Sequence, residues 1–128
     1  MARIRTIKPT LFSSLTVCAW PVPIRWTFIG LFTYMDDEGR GLDEPRLVKA
    51  ELYPLDDVMT LRRVRQHLDA IAESGPLCRY EVDAHRYLHI TSWLEHQRVN
   101  RPTKSKVPPC PIHDKPTEED VNDSCLIH

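Results

Sequence analysis

The stretch Thr60-Leu-Arg-Arg-Val-Arg-Gln-His-Leu-Asp-Ala-Ile-Ala-Glu-Ser74-Gly-Pro-Leu-Cys-Arg-Tyr-Glu-Val82-Asp-Ala-His-Arg-Tyr-Leu-His-Ile90 decides the fold. Leu61, Val64, Leu68 and Ile71 recur at helical spacing and make one apolar seam. Thr60 suits the N-cap, and Gly75-Pro76 closes the helix, which is predicted over Leu61 to Ser74. The period then shortens. Leu77 to Val82 and Arg86 to Ile90 read as strands, with Asp83-Ala84-His85 linking them as a hairpin. Ser92-Trp-Leu-Glu95 has the capping-box pattern and predicts a helical turn from Trp93.

Upstream, Pro23 opens a segment in which Ile24, Phe28, Leu31, Phe32 and Met35 mark one helical face, with Gly39 and Gly41 at its end. Trp26 and Ile29 widen the stripe and predict a largely buried helix. A shorter helix is predicted from Glu44 to Leu52, capped by Asp43 and ended by Tyr53-Pro54. Two helices, a third helix and a two-stranded hairpin follow the order of a winged helix-turn-helix. The expected fold is therefore mainly α with a small β-hairpin (α+β). Residues 1–22 form a basic arm and lead-in, 23–100 the winged helix-turn-helix domain, and 101–128 a basic linker and a Pro-rich, acidic, disordered tail.

The 128 residues carry 17 Lys/Arg and 18 Asp/Glu, a formal net charge of -1. The total hides a division. Residues 1–106 hold 16 basic and 13 acidic side chains, whereas 107–128 hold one Lys and 5 acidic ones. The body is mildly basic and the end acidic. No apolar run of about 20 residues predicts a membrane span, and the interrupted N-terminal stretch lacks the core of a secretory signal. The expected location is cytoplasmic. Four scattered cysteines then read as thiols rather than disulfides. With only 4 Gly, neither a GxGxxG nor a phosphate-loop motif exists.

Opposite the apolar seam of the third helix stand Arg62, Arg65, Gln66 and Asp69, on one solvent stripe, with Arg63 beside it. Arginine bonds guanine bidentately and glutamine suits adenine, so this stripe is the expected major-groove reader of double-stranded DNA. Arg62 and Arg63 sit in the first helical turn, where the helix dipole disfavours cations. A phosphate partner offsets that mismatch. Arg79 and Arg86 on the hairpin, Arg98, Arg101, Lys104 and Lys106 beyond it, and Arg3 and Arg5 (with Lys8) in the arm complete the expected phosphate contacts. A homodimer would double them.

Several stretches resemble a known family: Met1-Ala-Arg-Ile-Arg-Thr-Ile-Lys-Pro9, Phe28-Ile-Gly-Leu-Phe32, Asp37-Glu-Gly-Arg40, Lys49-Ala-Glu-Leu52, Arg79-Tyr-Glu-Val82 and His96-Gln-Arg-Val-Asn-Arg101. They look like actinobacteriophage and prophage helix-turn-helix DNA-binding proteins, similar to the winged-helix N-terminal domains of phage replication initiators (replisome organisers). The resemblance spans roughly residues 1–109. It implies DNA binding in phage replication initiation, alongside replication proteins, at the nucleoid of a bacterial host cell. A phage transcriptional regulator, working with transcription proteins, and a protein–protein adaptor are the alternatives. Pro76 departs from relatives, which have an apolar residue there.

No catalytic constellation is read, and neither an enzyme nor a cofactor is expected. Asp36-Asp37-Glu38 reads as a solvated turn rather than a nuclease metal site. Cys110-x-x-His113 and Cys125-x-x-His128 have zinc-like spacing within each pair, but proline-rich, weakly apolar surroundings argue against a metal knuckle. His67 reads as a packed or half-exposed histidine, and Trp20, Trp26 and Trp93 as core.

Overall fold

A computed structural model describes residues 3–113. Within them a 3-10 turn (Pro9–Ser13) leads into α1 (Leu15–Ala19) and α2 (Val22–Tyr34). Then follow β1 (Arg40–Leu42), α3 (Pro45–Leu52), α4 (Leu61–Glu73), β2 (Leu77–Val82), β3 (His85–Ile90) and α5 (Trp93–His96). The architecture is α+β, and no described helix is long and apolar enough to cross a membrane. The expected three helices and two strands become five helices and three strands.

The three principal helices occur where periodicity placed them. Thr60 caps α4, its side chain accepting from the Arg63 N–H. Val64, Leu68 and Ile71 are fully buried along its inner face. On α2, Phe28, Leu31 and Phe32 are buried, and Trp20, Phe28, Phe32 and Trp93 form an edge-to-face series with ring centroids 5.0–6.3 Å apart. Such contacts add about 0.5–1.5 kcal/mol each to area burial. Trp26 corrects the expected stripe, for it is 64% exposed. The cap of α3 is also corrected: the Glu44 carboxylate, rather than Asp43, accepts from the Arg46 N–H. At α5 the Ser92 side chain caps no N–H and instead bonds His96 Nε2.

The strand absent from the sequence reading is β1. Gly39 and Gly41 do not trail the helix; α2 stops at Tyr34, and Gly39 turns the chain with φ +79°. A Cβ at Gly39 would stand 2.6 Å from the Trp93 ring. β1 pairs antiparallel with β3 (Arg40 opposite His89, Leu42 opposite Tyr87), and β3 pairs with β2, so the sheet order is β1-β3-β2.

The largest correction concerns the two ends. The expected basic arm is docked. The Arg5 side chain, 5% exposed, donates to the Phe32 and Met35 carbonyls at the C-terminus of α2, and to Asp37 Oδ1 at 3.0 Å. Its guanidinium also lies 5.0 Å from the Trp93 ring centroid. Arg3 pairs with Asp37 Oδ2 at 2.8 Å. Buried Gln97 accepts from the Thr6 N–H and donates to the Thr6 carbonyl, closing a two-way bond across the chain. Pro9–Ser13 and Leu15–Ala19 are helical rather than an irregular lead-in, with extended Ser14 between them capping α1.

The linker also folds back. The Thr103 N–H donates to Asp37, the Ser105 N–H to Glu38, and the Ser105 hydroxyl to Asp36. Arg40 then binds the Val107 carbonyl and the Tyr80 hydroxyl binds that of Pro108. Asp36-Asp37-Glu38 is thus no solvated turn; it gathers both ends of the domain. The acidic tail from residue 114 onward lies outside the described residues.

Two measurements test this account. The Thr103 N–H, with Arg5 and Arg3, lowers the Asp37 carboxyl to about 2, so its contribution is present above about pH 4 and is lost as the pH falls through about 2. Asp37→Asn strands the buried Arg5 charge and is expected to cost about 3 kcal/mol or more in urea unfolding at neutral pH; a loss under 1 kcal/mol contradicts the anchoring role. In the hairpin turn Asp83 and Ala84 take φ +52° and +65°. Both residues of a type I′ turn need positive φ, which alanine adopts at a cost of about 1–2 kcal/mol. Ala84→Gly is therefore expected to raise the denaturation midpoint.

Candidate nucleic-acid interface

The exposed side of α4 is the first place to look, because its inner side is committed to the core. Arg62, Arg63, Arg65, Gln66 and Asp69 are all exposed. The helix therefore exposes together the four residues expected on its outer stripe and Arg63 beside them. The Arg62, Arg65 and Gln66 side chains make no hydrogen bond or ion pair with any described residue, although the Arg65 charge helps to lower the Glu44 carboxyl. Their donors face solvent. Arg63 reaches back to the Val58 carbonyl at 3.3 Å.

Asp69 differs in kind. Its carboxylate pairs with Arg79 Nη1, and Arg79 Nε also stands 3.3 Å from Asp43. Arg79 is a half-buried brace joining β2, α4 and the lead into α3. Burial raises the Asp43 carboxyl, while Arg79 and Arg86 oppose that shift. The arrangement pairs Arg79 with Asp69 and with Asp43 within the fold. Asp69 lowers the local positive potential on the C-terminal side of the stripe.

The hairpin tip presents His85 and Arg86, both exposed. Arg86 is tied to α3 through its backbone, its carbonyl accepting from the Asp43 N–H at 3.1 Å. Both residues line a cleft of about 660 Å³ with Leu42, Arg46 and Leu47 at the N-terminal end of α3. Arg46 is clamped by Glu44 at 2.9 Å.

The remaining basic residues are scattered. Arg3 and Arg5 are spent on Asp37 and on the end of α2. Lys104 and Lys106 line a groove with Tyr34, Arg40, Leu47 and Glu51 that contains no residue of α4. Arg98 and Arg101 are exposed, Arg101 with φ +53°. The expected phosphate contacts do not form one continuous basic surface around α4.

His67 lies between the two sides of α4. Its Nδ1 pairs with the Thr27 hydroxyl at 2.7 Å, and Thr27 in turn bonds the Tyr53 hydroxyl. This half-buried position agrees with the packed histidine expected there. The residues that sequence reasoning missed are those with distant partners, Asp37 and Gln97. A run of three acids beside a glycine was the visible signal for Asp37, and Gln97 carried none. Of the zinc-like pairs, Cys110 Sγ and His113 Nδ1 lie 3.5 Å apart, while Cys125 and His128 fall outside the described residues.

Burial lowers the pKa values of His67 and His96; Arg63 adds to the effect at His67. The folded protein thus resists protons that the unfolded chain accepts near pH 6.5. Stability should be full above that pH and decline as the pH falls below about 6.5. Thermal unfolding across this window measures it, with His67→Gln expected to flatten the decline in part; a flat profile for the parent protein contradicts the assignment. The chain matches no protein-family model, no curated protein and no solved structure.

Proposed function

We propose that the protein is a winged helix-turn-helix that binds double-stranded DNA, with α4 as the recognition helix. One observation carries the reading: the Arg62, Arg65 and Gln66 side chains project together from one helix with no hydrogen bond or ion pair among the described residues, whereas Arg3, Arg5, Arg46 and Arg79 are engaged by carboxylates. The chain order supports it. A helix, a strand, two helices and a hairpin, with the strand on the far side of β3, present α4 and the β2–β3 turn on the same domain. An α-helix fits a major groove about 12 Å wide, and guanidinium and amide groups match base edges there.

In this reading Arg62 and Arg65 contact guanine edges or phosphate, Gln66 contacts adenine, Arg63 contacts phosphate near the helix start, and Arg86 holds backbone from the wing. Arg98 and Arg101 extend phosphate contact. Arg5 and Arg79 serve the fold, so their loss acts through stability. Phage replication initiation is the role the family resemblance favours, with transcriptional regulation as its alternative.

The exposed Trp26 and Val58, which line one cleft with Arg63 and Gln66, favour a second reading, a protein–protein adaptor. Titration against a pool of duplexes at several salt concentrations separates the two. DNA binding should weaken steeply with salt. Arg62→Ala/Arg65→Ala should reduce specific affinity by about tenfold or more for each bidentate arginine–base pair removed, with unchanged thermal stability. Failure of the parent protein to bind any duplex at low salt sinks the DNA reading and leaves the adaptor.

A further inference from the structure

Away from α4, the returning chain brings three metal-ligating side chains together. Cys78 lies on β2, opposite His89 of β3. Cys110 is fully buried, in a segment held on the sheet by the bonds from Arg40 to Val107 and from Tyr80 to Pro108. Its Sγ lies 3.7 Å from Cys78 Sγ and 3.5 Å from His113 Nδ1. All three ligand atoms fall within 4.8 Å of one another. We propose that Cys78, Cys110 and His113 form a zinc site that clips the C-terminal return onto the sheet.

Coordination geometry supports the choice of metal. Zinc–sulfur bonds of about 2.3 Å and zinc–nitrogen bonds of about 2.0–2.1 Å at tetrahedral angles place two sulfurs about 3.8 Å apart, and sulfur about 3.6 Å from nitrogen. The observed 3.7 Å and 3.5 Å separations match both. A disulfide needs its sulfurs at about 2.05 Å, so the pair is not so bonded. Two thiolates with an imidazole are soft and borderline donors, which suit zinc over magnesium or calcium. Zinc with three protein ligands takes water in its fourth position. The His89 ring, whose centroid is 5.9 Å from that of His113, stands beside the site.

The chemistry is ligand exchange. Each cysteine gives up its thiol proton to solvent as sulfur binds the ion, and no electron changes hands. The effect is mechanical. The chain from Thr103 to Pro108 is held by hydrogen bonds of modest individual worth, and a metal at residues 110 and 113 pins its far end.

The full chain, purified with reductant and without chelator, tests the proposal. It should carry about one zinc per molecule by elemental and native mass analysis. Cobalt substitution should give thiolate-to-metal charge-transfer absorption and tetrahedral d–d bands. Cys78→Ser should weaken zinc at least about tenfold in competition with a chromophoric chelator, as loss of even an outer-shell partner can. His113→Ala should do the same, and His113 is exposed, so this variant keeps the fold. Cys18→Ser, at an exposed thiol bonded to the Phe12 carbonyl, should change nothing. A chain that takes up neither zinc nor cobalt, a Cys78–Cys110 disulfide in its place, or undiminished affinity in His113→Ala would overturn it.

Discussion

The buried ion pair between Arg5 and Asp37 organises this domain. Both side chains are almost wholly removed from solvent, at 5% and 7% exposure. Burying two charges costs several kcal/mol, which is offset only when the remaining hydrogen-bonding capacity is satisfied. Here it is. Arg5 also caps the last carbonyls of α2, where the helix dipole favours a cation. Asp37 accepts from Arg3 and from the Thr103 backbone as well. Segments far apart in sequence meet at one carboxylate, and Gln97 secures the N-terminal strand of chain beside it. The apolar core of α2 and α4 rests on other contacts, whereas the N-terminal segment and the returning chain meet at this pair.

That placement sorts the basic residues. A guanidinium can cap a helix, brace a sheet or meet a phosphate, and one side chain rarely does two of these. Arg5 and Arg79 are held inside the fold's own charge balance, one by Asp37 and the other by Asp43 and Asp69. Arg62 and Arg65 are exposed on a rigid helix. Rigid presentation matters for the proposed reading of DNA, because ordering a long side chain on binding costs free energy that a fixed backbone does not add to. The mild positive charge of residues 1–106 is therefore a poor guide to the interface, since part of it is neutralised within the domain.

Much of the architecture was legible locally. The seam of Leu61, Val64, Leu68 and Ile71 repeats every turn, and Thr60 and Gly75 mark its ends; each of these cues is satisfied within a few residues. The β2–β3 hairpin was visible for the same reason. β1 was not, because three residues containing a glycine carry no strand signal until β3 lies alongside. Asp43 looked like a cap and became a partner of Arg79, since residue 79 is brought to it through the sheet. Trp26 looked like core and faces solvent, because apolar spacing on a helix wider than its neighbour's contact does not say which edge is covered.

The sequence by itself determined the three longer helices, the β2–β3 hairpin and which face of α4 is polar, because periodicity, caps and turn residues act between neighbours in the chain. Tertiary structure alone decided what the charges and thiols do. Whether Arg5 is an arm or an anchor, and whether Cys78 stands alone or 3.7 Å from Cys110, depends on contacts across dozens of residues. Coulomb attraction and ligand geometry fall off over a few ångströms, so they are set only once the chain has folded back on itself.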